Sequence, residues 1–346
     1  MLFRSREYAD KNRIPLAASL GGAETMYPEY ITKVKTVADA EAMARTRPSA
    51  DGARIASRAV DPEPHDGEIH AWAVQGNVHL LIGDGGNIAV QVGENGALVV
   101  DTGTGQLADK VVAAIKKLVG DKPIQYIVNT SFRPEHTGGD ATVHEAGSDP
   151  SLLGSFFSAG AQSFSGAGVG ATIIAFLQGR RRKYYNDEAV EVFWAPNAVT
   201  DGDSFVHFRR SDVIVTGDLF TTTQYPVIDI KNGGSVQGLI DALNAILDKT
   251  VYKHEEEGGT LIIPGHGRIC DEYEVGEYRD MIAIIRDRVQ AIINQGATVE
   301  QVKGARLTAD FDSRYGADTG PWTTDMFVEA VYTSLKQGRP KAGATK

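Results

Sequence analysis

The segment Asn129–Gly139 reads NTSFRPEHTGG and follows a short apolar run, so acidic, imidazole and glycine residues stand together where a strand would end. Two further segments have the same form. Thr216–Asp218 follows the apolar run Val213–Val215, and Pro264–Gly267 follows Leu261–Ile263. Because rigid sheets carry their sites on the loops at strand ends, the three segments together predict one site at a sheet edge.

The three segments contain four side chains of the oxygen and imidazole types that zinc or iron accepts: Glu135, His136, Asp218 and His266. Taken singly, a loop histidine is more often a surface residue, and a Gly-Asp pair is more often an ordinary turn. Their repetition after three apolar runs favours a metal site. Neighbouring glycines, such as Gly217 and Gly265, let the backbone turn tightly there.

Upstream of these segments, the pattern predicts an antiparallel meander of three strands: Val78–Ile82, Ile88–Val92 and Ala97–Val100. Asn95 and Gly96 predict a type I′ turn between the last two strands, because that turn needs positive φ at both central positions. The first sheet is therefore expected to begin with hairpins.

Strand–helix alternation follows the meander. A helix is predicted from the apolar face Leu107, Val111, Ile115 and Leu118, followed by a strand at Ile124–Val128. Later strands are predicted at Ala189–Trp194, Ser204–Phe208, Val213–Val215 and Thr260–Ile263. Later helices are predicted at Val236–Leu247, Glu274–Asn294, Thr298–Gln301 and about Thr324–Leu335. This order predicts an α/β (α+β) fold with mixed sheets and covering helices.

Three parts are expected along the chain: an N-terminal extension at 1–67, a core at 68–275 and C-terminal helices packing on the core at 276–346. The extension includes a helical stretch near Tyr30–Arg45. Residues 147–171 are rich in glycine, serine and alanine, which predicts an irregular segment. The basic run Arg180–Lys183 is interpreted as a solvated patch, with an anion contact near the site as the alternative.

Composition limits the classes of function. The 346 residues carry a formal net charge of −10, which argues against binding to nucleic acid or anionic membranes. The single cysteine, Cys270, excludes an intrachain disulfide. No apolar run approaches membrane-spanning length, and the N-terminus lacks the apolar core of a signal peptide. A cytoplasmic location is therefore expected by default.

The motifs resemble those of the metallo-β-lactamase superfamily, over about Val74–Leu335. The resemblance is carried by Gly85–Asn87, Val99–Gly103, His136–Gly139, Thr200–Ser204, Thr216–Phe220 and Ile263–Gly267. It implies a four-layer αβ/βα sandwich with two mixed sheets and with metals in a groove at the strand edges. It also implies a hydrolase, since family substrates are esters, thioesters, amides, β-lactams and phosphoesters.

The chain departs from the family pattern at the first of the two usual metal sites. The family signature His-x-His-x-Asp-His is replaced by a stretch with Ser131, Arg133 and Glu135 before His136, and Val199 replaces a further histidine. Arginine stays protonated and has no lone pair to donate, valine has no donor, and serine alone is a poor ligand. The first site is therefore predicted to be lost.

The second metal site is largely kept. The resemblance assigns to it Glu135, in place of the usual aspartate, with His136 and His266, and it assigns to Asp218 the bridge between both metals. A competing hypothesis uses the same residues. Arg133 would form an ion pair with Asp218, with a bidentate contact as one form of it, and this pair would keep the fold while ending the chemistry.

Two functions follow from these alternatives. The first is a hydrolase with one zinc, iron or manganese ion on Glu135, His136, Asp218 and His266, acting on a small, anionic ester, thioester or lactam. Asp218 would orient the attacking water or accept its proton, Glu135 would hold the metal, and Arg133 would bind the anionic group or the developing oxyanion. The second is a pseudoenzyme without metal that binds a small anion or a partner through Arg133.

The segment Gly103–Ala108 imitates a dinucleotide-binding fingerprint, since it follows a strand and opens a helix. A meander precedes it, however, and the next strand offers no acidic residue for a ribose. Asp101 is interpreted instead as a residue that orients a metal ligand.

Overall fold

The computed structural model describes residues 64, 66–147, 155–158, 180–251 and 259–338. All of them belong to one compact unit, Val60–Lys346. Most of the predicted extension 1–67, the helical stretch near Tyr30–Arg45 and most of the segment 147–171 lie outside the described residues. In the part of the chain described, no helix combines the length and apolar character needed to cross a bilayer.

The first sheet has the strand order β1-β2-β3-β4-β5-β6. Its strands are β1 (His70–Gln75), β2 (Val78–Ile82), β3 (Ile88–Gly93), β4 (Gly96–Val100), β5 (Ile124–Asn129) and β6 (Ser155–Ser158). The pairs from β1 to β4 are antiparallel, whereas β4–β5 and β5–β6 are parallel. The meander and the switch to alternation are therefore confirmed, and the sheet is mixed.

The second sheet has the order β11-β10-β9-β8-β7. Its strands are β7 (Arg180–Tyr185), β8 (Glu188–Ala195), β9 (Asp203–Phe208), β10 (Val213–Val215) and β11 (Leu261–Ile263). β10 and β11 are parallel and the other pairs are antiparallel. Since β10 and β11 are parallel, their carboxyl ends, which precede Asp218 and His266, lie at one edge.

Helices cover both sheets. They are α1 (Ala108–Val119), α2 (Pro134–Thr137), α3 (Asp140–Glu145), α4 (Val236–Leu247), α5 (Glu272–Ile293), α6 (Val299–Gly304), α7 (Asp312–Tyr315) and α8 (Thr324–Gln337). α1 and α3 pack on the first sheet, while α4, α5 and α8 pack on the second. A third core, with Leu98 and Val206 among its members, lies between the sheets. These are the four layers expected.

The hairpin between β3 and β4 is confirmed, but its predicted turn is wrong. Gly93 pairs with Gly96, so the turn residues are Glu94 and Asn95, and neither has positive φ. Gly96 itself has φ +106, and a Cβ there would lie 2.0 Å from the Pro123 carbonyl oxygen. The glycine therefore serves the close approach of β5 rather than the turn.

Asn186 and Asp187 form the two-residue turn that does have positive φ at both positions, with φ 47° and 64°. It joins β7 to β8, where Tyr185 pairs with Glu188. The basic run is thus the last strand of the described sheet, and its Arg180 and Arg182 side chains are exposed to solvent. Because successive positions carry charged side chains, the alternation of apolar and polar residues that predicts a strand is absent there.

Candidate metal centre

The three segments meet at one edge of the sandwich, here called the site edge. The backbone N–H of Asp101 donates to the Val128 carbonyl (2.8 Å), which joins the ends of β4 and β5. Gly217, with φ +51, turns the chain after β10, and a Cβ there would lie 2.2 Å from Thr130 Oγ1. Glycine is thus required for the approach of the second sheet to the first segment.

His136 is fully buried and fixed by Asp101, as the sequence predicted for that aspartate. Asp101 Oδ2 lies 2.8 Å from His136 Nδ1. Thr130 holds the same carboxylate from the other side, with its N–H 2.7 Å from Oδ1 and its hydroxyl 2.6 Å from Oδ2. The imidazole therefore presents Nε2 in a fixed direction, which is how histidine ligands are oriented in metal sites. Sequence reasoning did not identify Thr130.

Asp218 uses its two carboxylate oxygens differently. Oδ1 lies 3.1 Å from His136 Nε2 and 3.9 Å from His266 Nε2. Oδ2 accepts a hydrogen bond from Arg133 Nη1 at 2.9 Å. The predicted Arg133–Asp218 ion pair is therefore confirmed, although the contact is single rather than bidentate.

Arg133 also contacts the next acidic residue. Its Nη2 lies 2.5 Å from Glu135 Oε1, so the guanidinium bridges the carboxylates of Glu135 and Asp218. The side chains of Arg133 and Glu135 are each 26% exposed, whereas that of Asp218 is 9% exposed. The guanidinium thus closes the outer side of the cluster and keeps one face toward solvent.

Three of the four predicted ligands come close enough together to hold a metal ion, and His266 lies outside that group. Glu135, His136 and Asp218 offer ligand atoms within 4.8 Å of one another. Neighbouring ligands of tetrahedral zinc are about 3.3 Å apart, given Zn–N distances of about 2.0–2.1 Å. The distances from Asp218 Oδ1 to the two imidazoles bracket that spacing. His136 Nε2 is buried and pairs with Asp218 Oδ1 as an ion-pair contact that lacks hydrogen-bond geometry.

The charges within the cluster are strongly coupled. Burial alone would raise the pKa of Asp218, but His136, Arg133 and His266 together hold it well below its usual range. Burial alone would lower the pKa of His136, but Asp218 and Asp101 raise it well above its usual value. Without metal, the cluster is therefore an ionised network in which imidazolium and guanidinium balance the carboxylates.

Two of the positions at which the resemblance implies first-site ligands are buried, whereas Arg133 at the third is 26% exposed. Val199 is fully enclosed, and Ser131 is 3% exposed with no hydrogen-bond partner for Oγ among the described residues. Sequence reasoning missed Asp203, which lies nearby at the start of β9. Its Oδ2 accepts the Thr200 N–H at 2.5 Å, its Oδ1 has no partner in the described part, and burial raises its pKa to about 6.

The sequence model of the metallo-β-lactamase superfamily matches residues 81–155, which contain Asp101, Arg133, Glu135 and His136. Over this stretch the chain matches the metallo-β-lactamase superfamily. Its described architecture, with two mixed sheets between helical layers, is the architecture of that fold. A search of curated proteins gives no match.

Two sec-alkyl sulfatase structures have a similar fold. A double mutant of the sec-alkyl sulfatase PisA1 is 14% identical with a TM-score of 0.56, over 82% of this chain and 54% of that one. The stereoselective inverting sec-alkylsulfatase Pisa1 from Pseudomonas sp. is 14% identical with a TM-score of 0.53, over 79% and 53%. A metallo-β-lactamase from Pontibacter korlensis is 13% identical with a TM-score of 0.49, over 62% and 99%. The chain spans about half the length of the sulfatase structures.

Proposed function

We propose that this chain is a hydrolase of the metallo-β-lactamase fold that uses one metal ion, held by Glu135, His136, Asp218 and His266. The proposal rests on the different contacts of the two carboxylate oxygens of Asp218. Its Oδ1 lies near two imidazole nitrogens, and its Oδ2 binds Arg133. A carboxylate that bridges two metals in the family would here join one metal to one guanidinium.

Zinc bound at these residues would supply Lewis acidity and would lower the pKa of a water molecule. Asp218, with its lowered pKa, stays ionised and orients polar hydrogens rather than taking a proton. Glu135 is the more exposed carboxylate, and it would hold the metal at the mouth of the site beside Arg133. Arg133 supplies a fixed positive charge where negative charge develops on the substrate.

The substrate class follows from Arg133. A guanidinium has five N–H donors, and the described contacts with Glu135 and Asp218 engage two of its nitrogens. Its partly exposed face can therefore bind a carboxylate or another oxyanion. We infer a small ester, thioester or lactam that carries such an anionic group.

The second candidate is a non-catalytic protein that binds a small anion. It is favoured by the Arg133–Glu135 contact, because a guanidinium on that oxygen competes with a metal for the same ligand. In this case the ion-pair network would replace the metal, and Arg133 would anchor the anion.

Metal content per chain separates the two candidates. Protein purified without chelator should contain about one equivalent of zinc, iron or manganese, and His266→Ala should retain less of it because one of the two imidazole ligands is removed. His144→Ala is the matched control, since His144 lies on α3 outside the cluster, and it should keep the metal. No metal in the unmodified chain, even after dialysis against zinc, would exclude the hydrolase and support the anion-binding candidate.

A further inference from the structure

The basic strand β7 carries a feature that the metal centre does not use. Arg182 places Nε 2.7 Å and Nη2 2.5 Å from Oε1 of Glu191, a β8 residue that is 1% exposed. Arg180 Nη1 lies 3.4 Å from the same oxygen, and Arg209 Nη1 lies 3.7 Å from Oε2. One buried carboxylate thus gathers three arginines, and positive charge remains in excess.

The three arginine side chains contact Glu191 on one side and are exposed to solvent on the other. The exposed fractions of their side chains are 49% for Arg180, 57% for Arg182 and 52% for Arg209. A guanidinium that is held by a carboxylate on one side loses less freedom when it binds a second anion on the other. On a chain with a formal net charge of −10, this is a local basic surface.

Within the described residues, the backbone of β7 is unpaired at its outer edge. β7 is the last strand of its sheet, and no strand in the described ranges pairs beyond it. Tyr185 and Glu188 close the two-residue turn, so Lys183 and Tyr185 direct their backbone groups toward β8. The N–H and C=O groups of Arg182 and Tyr184 therefore point outward, as a template for another strand.

The positive charge of the three arginines and the outward backbone groups of β7 favour the same kind of partner. Arg180 and Arg182 are two residues apart on one face of the strand, which is about 6.6 Å along an extended chain. Acidic side chains at alternate positions of an added strand have that spacing and that face. Nucleic acid is disfavoured, because the net negative charge of the whole chain repels a long polyanion.

We propose that β7 is a docking site for an extended peptide with acidic residues at alternate positions, which adds as a strand beside β7 and pairs its carboxylates with Arg180, Arg182 and Arg209. Backbone hydrogen bonds would supply affinity, and the arginines would supply selectivity.

The test uses a fluorescent peptide of alternating glutamate and valine and a matched peptide of alternating glutamine and valine. In anisotropy titrations with the full chain, the acidic peptide should bind at least about tenfold more tightly, and the difference should shrink as salt rises. Hydrogen exchange should show new protection at the amides of Arg182 and Tyr184. Equal binding of both peptides, or binding without that protection, would overturn the proposal.

Variants complete the test. The double variant Arg180→Gln and Arg209→Gln keeps Arg182 on Glu191, and it should bind the acidic peptide about tenfold more weakly. Arg306→Gln, on an exposed arginine elsewhere, should bind like the unmodified chain. If a single-stranded oligonucleotide binds as tightly as the acidic peptide, the surface is a general polyanion contact and the proposal fails. If the double variant does not fold, the two peptides and the exchange pattern on the unmodified chain still decide the outcome.

Discussion

The second sheet buries carboxylates at both ends of its strands, but the hydrogen bonds of these carboxylates differ between the two ends. The end opposite the site edge is here called the far edge. β8 runs from Glu188 at the far edge to Ala195 at the site edge, where Ala195 pairs with Asp203. Glu188 Oε1 accepts from Gln91 Nε2 (2.7 Å) and Ser211 Oγ (2.9 Å). Glu188 Oε2 accepts two backbone N–H groups, from Arg210 and Ser211, both at 3.0 Å.

The site edge leaves buried polar atoms without partners. Ser131 Oγ, His136 Nε2 and Asp203 Oδ1 make no hydrogen bond in the described part of the chain. Because an unpaired buried polar atom destabilises the fold, such atoms concentrate where a structure serves a function. Gln91 Oε1 and both His207 ring nitrogens also lack hydrogen bonds in the described part of the chain, so unpaired atoms are not confined to the site edge. The two edges differ in their carboxylates, because Glu188 uses both of its oxygens whereas Asp203 Oδ1 has no partner among the described residues.

The largest effect should come from breaking the far edge. Glu188→Ala leaves Gln91, Ser211 and two backbone N–H groups without their acceptor, and we expect it to lower the free energy of unfolding by about 3 kcal/mol or more. Denaturant unfolding measures this change. Glu94→Ala, at an exposed turn, is the control and should change stability by less than about 0.5 kcal/mol. A small loss for Glu188→Ala would mean that the four hydrogen bonds do not organise this edge.

Asp140 tests the energetic cost of charge at the site edge. Burial raises the pKa of Asp140 to about 6, although Thr102 and Asn129 each donate to it at 2.7 Å. Since the pKa in the folded chain lies above the usual aspartate value of 3.8, the stabilising contribution of Asp140 is complete below pH 3.8 and is lost as pH rises through 6.

Asp140→Asn should remove that pH dependence. Thr102 can turn its hydroxyl to accept from the new amide, so the variant should gain up to about 2 kcal/mol over the unmodified chain at pH 7 and little at pH 4. Unfolding curves at pH 4, 5, 6 and 7 measure the gain. An equal stability change at every pH would show that Asp140 keeps an ordinary pKa.

Arg133 tests whether the guanidinium competes with a metal. Arg133→Ala removes a cation 2.9 Å from Asp218 Oδ2, so zinc affinity should rise by about tenfold, or about 1.4 kcal/mol. Arg133→Lys keeps the charge and should show a smaller rise. Competition with a chromophoric chelator measures both affinities. Weaker zinc binding by Arg133→Ala would show instead that Arg133 supports the metal ligands.

The smallest effect is expected at the β7–β8 turn. Asp187 has φ 64°, a conformation that glycine adopts without the penalty of a side chain. Asp187→Gly should therefore raise the free energy of unfolding by about 0.5 kcal/mol, as measured in urea. Asn186 is left unchanged, because its side chain bonds the Asn95 N–H and the Gly96 carbonyl. Destabilisation by the glycine would contradict the turn assignment.

The sequence predicted most strands and helices because their apolar periods are regular. It also predicted the Arg133–Asp218 pair, since a fixed cation and an orphaned carboxylate in one motif satisfy each other. It placed the type I′ turn at Asn95 and Gly96 because it could not show that β5 occupies the space beside Gly96.

Other features depend on contacts between residues far apart in the chain. Gln91 and Ser211 meet Glu188 only after both sheets have formed, so no local pattern marks them. The unpaired oxygen of Asp203 is equally invisible, although the residue stands inside a motif that carried the family resemblance. Charge and period are local properties, whereas hydrogen-bond satisfaction is a property of the assembled fold.

Two requirements, one on the backbone and one on the side chain, limit which residues can replace Asp101. Different substitutions would test these requirements one at a time. The φ of Asp101, 62°, favours glycine, asparagine and aspartate, while its bond to His136 favours a carboxylate. Glycine would relieve the backbone and release the imidazole, and glutamate would keep the charge and strain the backbone. Mutational tolerance at this position should therefore be among the narrowest in the chain, even though Asp101 itself would touch neither metal nor substrate.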